Sequence, residues 1–103
     1  MLLLTIDHVP GTEIEALGLV DGSVVTALTP GRSLVAGFDA LIGGEQIEYS
    51  KLLAVARQTA VERMMAAAEL LHADAIVSIR YCTSEVTSEA AEVVAYGTAV
   101  KFK

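Results

Sequence analysis

The stretch from Glu45 to Leu71 contains no glycine and no proline. Tyr49, Leu53, Ala56, Ala60, Met64, Ala67 and Leu71 recur along it in steps of four and three. That spacing lays one apolar stripe on a helix of 3.6 residues per turn. At about 1.5 Å per residue such a helix runs roughly 40 Å, long for a small domain. Lys51, Arg57, Gln58, Glu62 and Glu69 form its polar side. Alanines flank the stripe, so a sheet or a second helix can approach closely.

The segments around the helix read as strands. Glu13 to Leu28 is rich in β-branched and apolar residues, with Asp21-Gly22 inside it as either a hairpin turn or a bulge. Thr29-Pro30-Gly31 then supplies turn chemistry. Arg32 to Ile42 carries Leu34, Val35, Phe38, Leu41 and Ile42 at helical steps, with Ser33 as a cap and Gly37 as a weak point. Ala75 to Tyr81 alternates, placing Val77, Ile79 and Tyr81 on one face and Ile76, Ser78 and Arg80 on the other. Thr83 to Ala91 is polar and reads as a mobile connection. Glu92 to Phe102 is the last strand. Val94, Tyr96, Thr98, Val100 and Phe102 share one face, and the small Val93, Ala95, Gly97 and Ala99 share the other. An apolar face of that kind needs a cover, and a neighbouring subunit is the simplest one.

With 103 residues the chain is one domain, residues 1–103. It is 53% hydrophobic, with a mean hydropathy of +0.55. A domain this small cannot hide so much apolar surface alone, which points to a symmetric homo-oligomer. A membrane span needs roughly 18 uninterrupted apolar residues, and none exists here. MLLLTIDHVP lacks the basic region and length of a signal peptide. The lone Cys82 cannot form an intrachain disulfide and fits a cytoplasmic protein. Net charge is −6, and the bases Arg32, Lys51, Arg57, Arg63, Arg80, Lys101 and Lys103 are scattered. With no Trp and few aromatics, neither a phosphate-tracking stripe nor a base-stacking platform is present.

An ordered set of residues now resembles a known family. It comprises Leu17-Gly18-Leu19-Val20 with Gly22, Gly43-Gly44 with Tyr49, Ala56-Arg57 with Ala60, Ala73-Asp74-Ala75-Ile76-Val77, and Gly97-Thr98-Ala99-Val100. Together these resemble the YbjQ-like family of small bacterial and archaeal proteins, which carries a heavy-metal-binding label. The match covers nearly the whole chain from about Thr5. The resemblance implies an α+β fold: a two-layer domain with a long helix packed on a small antiparallel sheet, a dodecin-like β-α-β-β core. It also implies a ring-shaped homopentamer, sometimes stacked as a decamer, and it brings no catalytic residues with it. Two departures stand out. His72 occupies the helix exit where the family has Gly, the residue best suited to a left-handed cap. The connection between the last two strands lacks the turn glycine expected there.

The chemistry-bearing residues are few. Gly43-Gly44 at the start of the long helix suggests an anion cradle, but Glu45, Gln46 and Glu48 follow at once. Those carboxylates complement the helix dipole and repel phosphate, so the glycines read as a corner. Metal ligands are limited to His8, His72 and Cys82, with Met64 and Met65 as weak extras, and no CxxC, HxxxH or CxxH is present. His72 and Cys82 fall at opposite ends of one strand, so a shared ion would need several subunits. The acids Glu13, Glu15, Asp21, Asp39, Asp74, Glu85, Glu89 and Glu92 are spread over many elements. Neither histidine lies in a nucleophile motif. No catalytic, cofactor-binding or metal residue is therefore assigned. The sequence supports a non-enzymatic homo-oligomeric domain that binds a small ligand or serves as a scaffold. The alternatives are heavy-metal-ion binding at subunit interfaces and, more weakly supported, an enzyme whose active site forms in a cleft between subunits.

Overall fold

The computed structural model describes residues 1–27, 45–87 and 89–103, with only the backbone of 45–49. The corner Gly43-Gly44, the helix expected over Arg32 to Ile42, and Asp39 lie outside the described residues. Strand β1 spans Leu2–Leu3, β2 Ile14–Ala27, helix α1 Glu45–Leu70, β3 Ala75–Thr87 and β4 Ala90–Phe102. The sheet order is β1-β3-β4-β2. The expected antiparallel trio is present, and β1 joins its edge parallel to β3, pairing Leu2 with Ala75 and Leu3 with Ile76.

Helix α1 forms where the stripe predicts it and buries Ala56, Ala60, Met64 and Ala68. These are consecutive steps of four, a ridge of mostly small side chains. The ridge seats the helix over β2 and β4 and touches β3 least. Leu71 falls in the turn beyond the helix and stays exposed. The exit is a Schellman cap. His72 takes a left-handed backbone (φ 58) and donates its N–H to the Glu69 carbonyl at 3.0 Å. Ala73 N–H donates to the Ala68 carbonyl at 3.1 Å, closing the last turn.

Asp21-Gly22 is neither turn nor bulge. β2 runs straight through it, pairing Asp21 with Tyr96 and Gly22 with Ala95. The register shift of β2 lies instead between Ala16 and Gly18, where Gly18 adopts φ 144. Gly22 answers to packing: a Cβ there would fall on the Ala60 carbonyl oxygen and the Met64 amide nitrogen.

The alternation expected for Ala75 to Tyr81 breaks at Ser78. That residue has a left-handed backbone (φ 55), and the β3–β4 register shifts between Val77 and Arg80. The bulge changes the phase of the strand. Ile79 returns to the helix-covered face with Ile76, while Val77 packs on the opposite face with Val9, Ala75 and Val100. Val77 and Ile79 therefore do not share a face.

Two further expectations are corrected. The polar stretch from Thr83 is strand up to Thr87, and β4 already begins at Ala90. Thr83 and Thr87 suit extended backbone, and pairing with β4 holds them there although both faces are exposed. Glu89 N–H donates to the Thr87 hydroxyl at 3.1 Å, so a Thr side chain serves this turn. The small face of β4 is covered by the chain's own helix: Val93, Ala95 and Ala99 are buried in one cluster with Ala56, Ala60 and Met64. Small residues on both surfaces allow that close approach, so no neighbour is needed on that face.

The opposite face is only half covered. The N-terminal segment packs Leu4 and Val9 over Ala75, Val77 and Val100 at one end. At the other end the register places Leu19, Val25, Val94 and Tyr96, with Leu19 72% exposed and Tyr96 39%.

Candidate functional site

After β1 the N-terminal segment stays against β3. Leu4 N–H donates to the Ile76 carbonyl at 2.9 Å, Ile79 N–H to the Leu4 carbonyl at 3.1 Å, and Ser78 N–H to the Ile6 carbonyl at 2.8 Å. The segment and the bulge thus face each other. Between them lies an open cleft of about 570 Å³, lined by Thr5, Ile6, Asp7, His8, Ser78 and Arg80.

The cleft is built by strain and by charge. A left-handed backbone at a residue with a Cβ costs about 1–2 kcal/mol, and such residues cluster at functional sites. Bulges likewise re-aim side chains beside sites. Arg80 Nη1 donates to the Thr5 carbonyl at 2.9 Å and to the Ile79 carbonyl at 2.8 Å. His8 Nδ1 lies 2.9 Å from Asp7 Oδ1. That hydrogen bond first, and the Coulomb attraction second, hold the Asp7 carboxyl below its ordinary range. Ser78, His8 and Asp7 share the cleft, yet among the described residues no hydrogen bond joins Ser78 to His8. A nucleophile–base pair is therefore not assembled.

Of the candidate metal ligands, only His8 lines this cleft. His72 belongs to the helix cap, where its carbonyl accepts the Lys101 ammonium at 3.1 Å. Cys82 is exposed on β3. Met64 is buried in the helix–sheet core and Met65 packs against it. Among the described residues no three His, Cys, Asp or Glu side chains converge on one point. Asp74 ties the helix exit to β4, since its carboxylate accepts Phe102 N–H at 2.8 Å and lies 4.0 Å from Lys101 Nζ. Glu13, Glu15, Asp21, Glu85 and Glu89 are exposed and Glu92 is half-buried.

Sequence reasoning found His8 but missed Thr5, Asp7, Ser78 and Arg80. The available signal was two polar residues, Ser78 and Arg80, breaking the apolar run of AIVSIRY. A second hollow of about 570 Å³ lies between β2 and α1, lined in part by Val24, Leu52, Val55 and Ala56. Its walls are chiefly apolar.

The molecule is thus an α+β domain with one long helix on a mixed four-stranded sheet. Its family follows from the sequence: the chain belongs to the YbjQ family, whose model, described as "Putative heavy-metal-binding", matches residues 1–103. A UPF0145 protein of Methanoculleus marisnigri is 49% identical over 102 residues, covering 98% of this chain and 95% of its own. A UPF0145 protein of Thermotoga maritima is 47% identical over 104 residues, covering 100% and 98%. A crystal structure of a Pediococcus pentosaceus protein of unknown function, of the DUF74 family, superposes with a TM-score of 0.64 at 19% identity. That match covers 100% of this chain and 98% of the other, and it shows the shared fold. Among the described residues no helix is long and apolar enough to cross a membrane.

Proposed function

We propose that this chain is a non-enzymatic, cytoplasmic homo-oligomeric domain, a pentameric ring that serves as a scaffold and presents a small-ligand cleft on each copy. One observation supports the assembly: among the described residues the sheet has two different open edges. On one side, β2 is bonded only to β4 among the described residues. On the other, β1 pairs with β3 only at Ala75 and Ile76, and past Arg80 the outer edge of β3 meets no described strand. Unpaired edges invite strand addition. Two unlike edges on opposite sides favour head-to-tail contact, which closes into a ring when the rotation permits. The exposed Leu19, Val25 and Tyr96 supply apolar surface beside those edges. Sedimentation velocity at micromolar concentration tests this reading. A single species several chains in mass is expected, and a monomer overturns it.

The description carried by the family favours a second reading, a heavy-metal ion held between subunits. With no converging trio among the described residues, such a site needs His8, His72 or Cys82 from more than one copy. Zinc, copper and nickel titrations followed by metal analysis separate the readings. Retained metal in ring stoichiometry supports the second, and no retention with no thermal shift rejects it.

A further inference from the structure

Arg80 carries a charge that no acid among the described residues pairs with. Its two hydrogen bonds to described residues both leave Nη1 and both end on neutral carbonyls, those of Thr5 and Ile79. They fix the guanidinium plane by one corner. Nε and Nη2 keep three N–H groups that no described residue accepts. A guanidinium anchored in this way is a preorganised fork for a planar or tetrahedral oxyanion. The surroundings suit the same ligand. Thr5 and Ser78 bring hydroxyl groups to the cleft, and His8 brings a ring whose Nδ1 is already engaged by Asp7. Among the described residues Asp7 is the one carboxylate lining the cleft, and it interacts with His8 rather than with Arg80.

We propose that this cleft binds a small oxyanion, the carboxylate or phosphate group of a metabolite-sized molecule, with Arg80 as its anchor. The hydroxyls of Thr5 and Ser78 complete the donor set. The site lies within one chain and does not rest on the assembly proposed above.

The test is isothermal titration of the purified protein with inorganic phosphate and, separately, with sodium acetate. Sodium chloride at matched ionic strength is the control. Saturable binding at one site per chain is expected with at least one of the two anions, and the anion that binds identifies the group recognised. Arg80→Gln is expected to weaken that binding at least tenfold. Arg80→Lys keeps the charge but loses the fork, and is expected to weaken it several-fold. Lys101→Gln removes a cation outside the cleft and leaves binding unchanged. Circular dichroism confirms that each variant is folded. If neither anion binds the wild-type protein beyond the chloride control, or if folded Arg80→Gln binds as tightly as wild type, the proposal fails.

Discussion

Gly22 of β2 lies directly beneath Ala60 of α1, so close that a side-chain carbon at Gly22 would overlap the helix backbone. The contact sets the distance between the two layers. Ala56 and Ala68 on the helix and Ala95 and Ala99 on β4 extend the same small-on-small seam. Gly22→Ala is expected to lower stability by about 3 kcal/mol, because the obstruction is backbone and cannot rotate away. Denaturant unfolding reads the loss. A variant within about 0.5 kcal/mol of wild type would mean that the layers can separate freely.

His72 and Ser78 are the two described non-glycine residues with left-handed backbones, and they respond differently to substitution. His72 is exposed, and its N–H makes the cap bond whatever the side chain. His72→Gly is expected to raise stability by about 1 kcal/mol by removing Cβ strain. Ser78→Val adds β-branching at the same kind of backbone and is expected to cost about 1–2 kcal/mol. Thermal melts of both variants check the signs, and a destabilised His72→Gly would show that the ring holds the corner in another way.

The Asp7 carboxyl is held below its ordinary range by His8. A carboxyl with a depressed folded pKa contributes stability above its unfolded value, about 3.9. The contribution is lost as pH falls through the folded value. Because both groups are exposed, the clearest readout is the titration itself. In His8→Ala, NMR of the Asp7 carboxyl is expected to show a midpoint back in the ordinary carboxylate range. An unchanged midpoint would mean that the pair is not formed in solution.

Leu19 stands on the open end of the sheet, beside the β2 edge and diagonal to Tyr96. Leu19→Lys places a charge there without touching the helix–sheet core. If the proposed assembly forms, the variant is expected to elute as smaller species in size-exclusion chromatography while the circular dichroism spectrum is retained. An unaltered elution volume would remove this patch from the interface.

The helix was legible because its stripe is long and unbroken, β2 because apolar and β-branched residues run through it, and β4 because its residues alternate between two faces. What the sequence hid depends on tertiary pairing. β1 is two residues long and acquires meaning only when β3 lies beside it. The bulge at Ser78 carries no glycine to announce it, so a strict period of two misplaced Ile79 relative to Val77. The small face of β4 declared that something covers it, but composition does not say which surface does. The cleft was hidden for the same reason: Asp7-His8 and Ser78–Arg80 lie about seventy positions apart and meet only through the strand pairing.

Native mass spectrometry of the protein, purified without a metal-affinity tag, tests the assembly most directly, since it reports subunit number and retained mass together. The expected mass is that of five chains of 10.8 kDa, or of a stacked pair of such rings. A bare monomer at micromolar concentration would contradict the pentamer, and would mean that the open edges and the exposed apolar face serve no self-association.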